Sequence, residues 1–362
     1  MMICWTMGLL GVMGIAATAA PRVVTLSAET PATAAVGDLN GDGRPDLVVA
    51  TPRAVSAFLN QGAGRFAPQP KVTLSRDPTE LTIADLNGDG KLDVATADHN
   101  TFGIDILLGD GKGGLTKHRT LRARMQGPPH IHGIHAADLN RDDKMDLVMI
   151  SVDTHELLVL DGDGHGGFTP AKVTALRRPF NSKTTDFNGD GIRDFAVPQF
   201  GSDTLSILLG DGKGGLAHAP GSPHKLLPRP YNVAIGDVNG DGHHDIAVSQ
   251  DDIRGVNVLL GDGKGSFRKA AGSPFEFDQV VYNIAFADAN NDGRLDLIGG
   301  GSGGLSVLAQ GRDGSFSTAP KLFTEPESWN FLATELDGDG KRDFVIWHAR
   351  AGKLSVLLSA AH

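Results

Sequence analysis

Oxygen-bearing side chains occupy alternate positions of a nine-residue loop that this chain contains in seven copies. In the first copy, side-chain oxygens fall at positions 1, 3, 5 and 9, and position 7 offers its backbone carbonyl. These positions are held by Asp38, Asn40, Asp42 and Asp46, with Arg44 at position 7. Hard oxygen ligands at this density are typical of calcium sites, and the glycine at position 6 suits the sharp turn that lets them converge. The loop therefore predicts a Ca²⁺ site.

The other six copies repeat this pattern. Their positions 1, 3, 5, 7 and 9 are, in chain order, Asp85, Asn87, Asp89, Lys91 and Asp93; Asp138, Asn140, Asp142, Lys144 and Asp146; Asp186, Asn188, Asp190, Ile192 and Asp194; Asp237, Asn239, Asp241, His243 and Asp245; Asp288, Asn290, Asp292, Arg294 and Asp296; Glu335, Asp337, Asp339, Lys341 and Asp343. The third copy has Asp143 in place of the glycine, and the seventh begins with Glu335. We expect these two sites to differ from the others in calcium affinity.

Two known calcium motifs do not fit these loops. An EF-hand needs a bidentate glutamate at position 12 and a helix on either side. Position 12 is never glutamate here, and the segments that follow the loops, such as 47–50 and 147–150, are short apolar runs typical of β-strands. RTX repeats are glycine-rich nonapeptides in direct tandem, whereas these loops start 47 to 53 residues apart. The acidic loop therefore joins two β-strands.

The even spacing of the loops indicates a repeat architecture with a period of about fifty residues. Between successive loops lie a short apolar segment, a turn, a second apolar segment such as 256–260, and a glycine-rich turn such as 109–115. Asp-Gly and Gly-Gly pairs in these turns suit β-hairpins. Four strands in each of seven repeats predict an all-β fold, a seven-bladed β-propeller.

The two ends of the repeat region predict how the ring closes. The seventh repeat reaches only its third strand, at residues 354–362, and residues 22–26 match the fourth-strand segment 71–74 of the first repeat. Pairing the N-terminal strand with the last blade would remove an exposed sheet edge. We therefore expect one propeller domain over residues 20–362.

The seven spaced acidic loops resemble FG-GAP and VCBS repeats, and the chain is similar to the N-terminal propeller of integrin α subunits. The resemblance covers nearly all of residues 20–362, and it implies calcium in the acidic loops. Most repeats lack the literal Phe-Gly and Gly-Ala-Pro signatures of the family. This departure weakens the implication of integrin-like partners.

Residues 1–19 predict export. They are largely apolar and end in Ala17-Thr18-Ala19, a small-x-small pattern typical of signal-peptide cleavage. A membrane anchor is the alternative, but the apolar run is shorter than a membrane-spanning helix requires. We therefore expect a secreted, periplasmic or cell-envelope protein without stable membrane insertion. We also expect the protein to be a monomer. Millimolar calcium in such locations would fill loops of this kind.

The net charge of −10 comes largely from the acidic loops themselves. Bound calcium would neutralise that charge, so acidity is no indication of a basic partner. Basic runs with interleaved aromatic residues, the footprint of nucleic-acid binding, do not occur in the sequence. Nucleic acid is therefore not an expected partner.

Aromatic residues followed by asparagine stand six positions before loops four to seven, where the innermost strand of each repeat begins. The four pairs are Phe180 and Asn181, Tyr231 and Asn232, Tyr282 and Asn283, and Trp329 and Asn330. In a propeller they would form an arc around one mouth of the channel, on the face opposite the acidic loops. Aromatic faces and amides there would suit a glycan or a basic side chain of a protein partner, and the integrin resemblance implies a partner's arginine. Packing between blades is the alternative use of these rings.

The sequence thus predicts an exported calcium-binding propeller that binds a glycan, or an extracellular or envelope protein. The alternative is a polysaccharide-acting enzyme of the lyase type, for which His132, His135, Lys183 and Arg229 are candidate residues at the channel mouth. Three histidines before the third loop, His130, His132 and His135, also suggest a transition-metal site, and lining of the channel or exposure to solvent is the alternative. On a regular strand His130 and His132 share a face and His135 points away, so such a site would need a bulge.

Overall fold

Seven antiparallel sheets contain all the strands of this computed structural model, which describes residues 22–123, 125 and 127–359. The sheets are arranged as the blades of a seven-bladed β-propeller, which confirms the predicted fold. No helix occurs in the described part of the chain, and so none there could span a membrane. The predicted signal peptide, residues 1–19, lies outside the described residues.

The first strand of each blade lines the central channel. All seven of these inner strands contribute residues to one cavity of about 610 Å³. They are β2 (Thr33–Gly37), β7 (Glu80–Ala84), β11 (Ile131–Ala137), β15 (Lys183–Thr185), β20 (Pro230–Gly236), β25 (Asn283–Ala287) and β29 (Asn330–Thr334). Each inner strand ends where an acidic loop begins, so the strand starts and the acidic loops lie at opposite ends of the channel.

The second and third strands form the centre of each blade. The second strands, buried along their whole length, are β3 (Asp46–Thr51), β8 (Asp93–Ala97), β12 (Asp146–Ser151), β16 (Asp194–Gln199), β21 (Asp245–Gln250), β26 (Asp296–Gly301) and β30 (Asp343–His348). The third strands are β4 (Ala54–Asn60), β9 (Gly103–Gly109), β13 (Glu156–Gly162), β17 (Thr204–Gly210), β22 (Ile253–Gly261), β27 (Gly304–Gln310) and β31 (Lys353–Leu358).

The outer strand is continuous in four blades and divided in three. The continuous ones are β10 (Leu115–Arg122), β14 (Phe168–Ala175), β28 (Phe316–Phe323) and, in the last blade, β1 (Arg22–Ser27). The divided ones are β5 (Phe66–Pro68) with β6 (Val72–Thr73), β18 (Leu216–His218) with β19 (His224–Lys225), and β23 (Phe267–Lys269) with β24 (Phe275–Glu276). Both segments of each divided strand pair with the same third strand.

The N-terminal strand closes the ring. Strand β1 pairs antiparallel with β31, in a register that runs from Arg22 opposite Leu358 to Ser27 opposite Lys353. The last blade therefore takes its fourth strand from the N-terminal end of the propeller, as predicted. This pairing covers a sheet edge that would otherwise be exposed and holds the first and last blades together.

The hydrophobic core consists of seven clusters, one at each contact between neighbouring blades. In the cluster between the last and first blades, Val345 and Leu354 pack with Leu47 and Val49, all fully buried. Alternation of side chains along each strand places one set on each face of the blade, and each face packs on a neighbour. No blade buries its apolar surface alone, so the blades depend on one another for stability.

Candidate functional site

The position-1 carboxylate organises each acidic loop. In the first loop, Asp38 accepts hydrogen bonds from the backbone amides of Gly41 (2.8 Å), Asp42 (3.1 Å) and Gly43 (2.8 Å). Gly41 and Gly43 have positive φ values of 75° and 84°, a conformation that glycine adopts without strain. The same three contacts recur around Asp85, Asp186 and Asp237. The loop thus curls around one carboxylate.

The position-9 aspartates tie each loop to its blade. Asp46 is 0% exposed, and its oxygens accept hydrogen bonds from the backbone amides of Leu39 (2.9 Å) in the loop and Asn60 (2.7 Å) at the end of β4. The aspartates with the equivalent pair of contacts are Asp93, Asp146, Asp194, Asp245, Asp296 and Asp343. These carboxylates therefore have a structural role in every blade, in addition to the metal contact predicted for them.

The charges of the loops fit a divalent cation. Burial raises the pKa of Asp46, and the negative charges of Asp42 and Asp38 raise it further, against the effect of its backbone hydrogen bonds. Burial likewise raises the pKa of Asp194 and Asp343 to about 6. A cation placed between such carboxylates would relieve their mutual repulsion. The available donors are carboxylate, amide and backbone oxygens, the set that calcium prefers, so positions 1, 3, 5, 7 and 9 are suited to hold it.

The two divergent loops keep the general shape. Asp143, which replaces the position-6 glycine, has a φ of 61°, and its backbone amide still donates to Asp138 at 3.0 Å. In the seventh loop, carboxylate oxygens of Glu335, Asp337 and Asp343 lie within 4.8 Å of one another. The third loop thus holds a side chain in a conformation that glycine adopts more readily, and the seventh gathers an additional carboxylate. The different affinities of these two sites stay a prediction.

The acidic loops also connect neighbouring blades. At four blade contacts, the carbonyl at loop position 2 accepts a hydrogen bond from the next blade. These bonds join Leu86 to Gly166 (3.1 Å), Leu139 to Gly214 (2.9 Å), Val238 to the Gln310 side chain (2.7 Å) and Leu336 to the Asn60 side chain (2.7 Å). An ion that orders a loop would therefore also strengthen the contact between two blades.

Aromatic rings form an arc around the channel mouth on the opposite face. The centroid distances are 5.3 Å between Phe180 and Tyr231, 5.9 Å between Tyr231 and Tyr282, and 6.4 Å between Tyr282 and Trp329. Distances of this size are typical of aromatic pairs in contact. The four aromatic residues singled out in the sequence are thus neighbours across four consecutive blades. Phe180 is buried, whereas the other three rings are partly exposed.

The asparagines that follow these aromatic residues line the channel cavity. They are Asn181, Asn232, Asn283 and Asn330. Asn283 donates to the carbonyl of Phe331 (2.6 Å), and the Asn232 side chain accepts from the backbone amide of Val233 (2.7 Å). These contacts orient two of the four amides, and each amide still carries donor or acceptor capacity.

Histidines extend the arc into the second and third blades. The His132 ring is 4.5 Å from the Phe180 ring, and the rings of His130 and His99 both lie 4.9 Å from that of His132. His135 lies apart, with its Nε2 2.7 Å from the hydroxyl of Ser182, although β11 does contain a bulge between Ile131 and Ile134. Sequence reasoning grouped His130 with His132 and missed His99.

His99 lies in the turn between β8 and β9. The circular order of the blades places this turn beside the start of β11. The sequence signal for His99 is its position in a turn on the mouth face of the second blade, because the inner strand of the third blade carries His132. Recognising this neighbour requires the order of the blades and the position of each turn on the ring. The contact of His99 with His130 and His132 is not local in the sequence and could not be predicted from neighbouring residues along the chain.

Charged residues flank the rings at the rim of the mouth. Arg229 pairs with Asp251 and, at 3.1 Å, with Asp252. Asp252 also accepts a hydrogen bond from the Tyr282 hydroxyl (3.2 Å), and the Arg229 guanidinium lies 5.3 Å from the centroid of the Phe200 ring. The rim therefore presents carboxylates and a guanidinium next to aromatic rings.

Acidic and basic side chains both line the channel. Glu80, Lys183, His132 and His135 line the cavity, whereas Arg229 lies at the rim. Enclosure by the blades raises the pKa of Glu80 to about 7, against the effect of the Lys183 charge. Enclosure also lowers the pKa of His135 to about 3, and Lys183 lowers it further. The residues considered for a lyase are thus divided: His132, His135 and Lys183 line the channel, whereas Arg229 lies at the rim.

The fold and the acidic loops define a β-propeller built from repeats of one loop-bearing unit. The chain belongs to the family of FG-GAP-like repeats, whose pattern matches residues 38–96, 85–149, 138–197, 186–248, 237–299 and 288–346. Each matched segment runs from one acidic loop to the second strand of the next blade. The resemblance inferred from the sequence is therefore confirmed.

Several solved structures share this fold at low sequence identity. BBS1N, crystallised in complex with ARL6DN, has 15% identity and a TM-score of 0.61 over 92% of this chain and 93% of that chain. A protein from Lactobacillus plantarum has 15% identity and a TM-score of 0.62 over 83% and 86%. An Agrocybe aegerita lectin that recognises non-reducing terminal N-acetylglucosamine has 19% identity and a TM-score of 0.54 over 84% and 81%. At these identities the likeness concerns the fold alone.

Proposed function

We propose that this protein is an exported propeller, braced by calcium in its acidic loops, that binds a glycan at the aromatic mouth. It would act in the secreted space, the periplasm or the cell envelope. The observation that carries the proposal is the arc of aromatic rings next to asparagine amides at one mouth of the channel. Aromatic faces pack against the apolar faces of sugars, and amides supply both donors and acceptors for hydroxyl groups.

The acidic loops support the calcium part of the proposal. Their carboxylates repel one another, and the loop carbonyls bond to neighbouring blades. An ion in each loop would offset the repulsion and hold the blades in register. A rigid ring would in turn keep the aromatic residues of different blades in one arrangement, which lowers the entropic cost of binding.

A protein partner is the second candidate, because the rim carries carboxylates beside aromatic rings. Asp252 contacts both Arg229 and Tyr282, so a partner's basic side chain could replace Arg229 and lie against the ring of Tyr282. BBS1N crystallised with ARL6DN and the Agrocybe aegerita lectin indicate that this fold accommodates either class of ligand. The choice for this chain depends on its own residues.

A glycan array probed in millimolar calcium tests the proposal. We expect saturable binding to a restricted set of glycans, and an affinity lower by about 10- to 100-fold in the Tyr231→Ala, Trp329→Ala double variant. Val173→Ala is the matched control, because Val173 is an exposed apolar residue on an outer strand, remote from the mouth.

The outcomes of this test separate the candidates. Glycan binding that survives the double variant in a folded protein would contradict the mouth site. An array without binding would reject the glycan as the ligand and leave the protein partner. Binding of the parent and of the double variant to secreted or envelope proteins would then be compared. Soluble fragments released from a bound polysaccharide would instead indicate a lyase-type enzyme.

A further inference from the structure

We propose that His99, His130 and His132 form a binding site for a divalent transition-metal ion, and that Zn²⁺ is the ion whose chemistry fits best. The site lies at the aromatic mouth, on the face opposite the acidic loops. Its ligands are imidazole nitrogens, which suit zinc, whereas the loops offer the hard oxygens that suit calcium. The two kinds of site are thus distinct in position and in chemistry.

The arrangement of the ring nitrogens carries the proposal. One nitrogen from each of the three histidines lies within 4.8 Å of the other two. The Nε2 atoms of His130 and His132 are 3.1 Å apart. Two nitrogen ligands of a tetrahedral zinc ion, each about 2.0–2.1 Å from the metal, lie roughly 3.3 Å apart. Small adjustments of the side chains would therefore bring the three nitrogens to zinc-ligand distances.

Neighbouring groups hold the rings in orientations that suit metal binding. Oδ2 of Asp153 lies 2.9 Å from Nδ1 of His130, so the carboxylate accepts the Nδ1 proton and leaves the Nε2 lone pair directed at the cluster. A carboxylate behind a metal-binding histidine is a recurrent feature of zinc sites. The His99 and His132 rings also donate hydrogen bonds, His99 to the Ile131 backbone and His132 to the Asn181 side chain, and these bonds further restrain the two rings.

Three protein ligands leave one coordination position of the ion free. The Phe180 ring, 4.5 Å from that of His132, covers one side of the cluster, and all three histidines are partly exposed. Water, or an oxygen of a ligand bound at the mouth, could fill the remaining position. The metal would thereby add a coordinating group to the arc of aromatic rings.

Calorimetric titration of Zn²⁺ into chelator-treated protein, purified without a histidine tag and kept in saturating calcium, tests this site. We expect one strong zinc equivalent per chain that is lost in His99→Ala and in His132→Ala. His135→Ala is the matched control, since this histidine lies on the same strand but outside the cluster, and it should retain that equivalent. Asp153→Asn should weaken zinc binding by about 10- to 100-fold through the orientation of His130.

Substitution of Co²⁺ for Zn²⁺ gives an independent readout, because visible absorption of bound cobalt distinguishes tetrahedral from octahedral coordination. We expect a tetrahedral spectrum in the parent and its loss in His99→Ala. Equal zinc binding by the parent, His99→Ala and His132→Ala would overturn the proposal. If His132→Ala fails to fold, His99→Ala decides alone, because His99 lies in a turn. Neither readout depends on glycan binding, so this site and the proposed function fail separately.

Discussion

The two faces of the propeller differ in how far they repeat. On the acidic face, the position-9 aspartate makes the same pair of backbone hydrogen bonds in all seven blades. On the mouth face, the residues change from blade to blade, from histidine through phenylalanine and tyrosine to tryptophan. An interaction that stabilises every blade can be the same in each repeat. A binding site for one asymmetric ligand needs different side chains in different blades. We therefore propose that the acidic face stabilises the propeller and that the mouth binds the ligand.

The largest effect should come from a position-9 aspartate. In Asp245→Ala, the backbone amides of Val238, which is buried, and Gly261, which is partly buried, lose the fully buried carboxylate that accepts their hydrogen bonds. Unsatisfied buried groups cost about 1–3 kcal/mol each, so we expect a loss of about 2–5 kcal/mol in the free energy of unfolding, measured with urea in calcium-free buffer. Asp241→Ala in the same loop is the control. Equal losses in the two variants would contradict the structural role of position 9.

Substitutions at the mouth should lower ligand affinity without changing calcium binding. The Tyr231→Ala, Trp329→Ala double variant should lose about 10- to 100-fold in ligand affinity. Because no loop contact is altered, it should keep the calcium stoichiometry and the calcium-dependent rise in Tm of the parent. Calorimetry and thermal unfolding with and without calcium measure both quantities. A double variant that no longer gains stability from calcium would mean that the two faces are not independent.

The channel between the faces should contribute to acid sensitivity through His135. The folded protein keeps this histidine neutral down to about pH 3, whereas its ordinary pKa is 6.5. Between these values the unfolded chain binds the additional proton, so stability falls as the pH falls, by at most about 1.4 kcal/mol per pH unit. His135→Gln should lose less stability than the parent between about pH 6.5 and pH 4.5.

Urea unfolding at several pH values measures this difference. Glu80, Lys183 and His132, which line the channel with His135, are present in both proteins, so the comparison isolates His135. Solvent in the channel screens its charge and would reduce the effect. Parallel pH profiles for the two proteins would show that His135 is not held neutral by its surroundings.

The smallest effect should come from one exposed loop carboxylate. Asp42→Ala removes a predicted ligand from one of seven loops, so it should reduce the calcium stoichiometry by one and lower the calcium-dependent rise in Tm by a fraction of the total. Asp241→Ala should behave alike. If the Tm values of variant and parent stay identical throughout a calcium titration, these aspartates do not contribute to calcium bracing.

Features that recur along the chain could be predicted from the sequence. The acidic loops, the hairpin turns and the completion of the last blade by β1 depend on residues close together or on a fixed period. The aromatic arc followed from the same period, because Tyr231, Tyr282 and Trp329 stand at equal distances from their loops. Periodicity thus carried the prediction from one blade to the next.

Features that depend on packing could not be predicted in this way. His99 meets His130 only because the second and third blades pack side by side. The paired hydrogen bonds of each position-9 aspartate join segments on two different strands, and the ligand pattern gave no sign of them. Two of the three divided outer strands had a local signal that the simple strand count overlooked, namely the Gly-Ser-Pro segments at 221–223 and 272–274, where proline cannot donate to a sheet.

Calcium titration of chelator-treated protein, with calorimetry and Tm followed together, tests the central claim most directly. We predict binding at several sites, with a large rise in Tm, because each filled loop would offset carboxylate repulsion and strengthen a contact between blades. Absence of calcium binding, or binding without a change in Tm, would contradict the account. The acidic loops would then be turns held by their own hydrogen bonds, and the argument for export based on calcium would be lost with them.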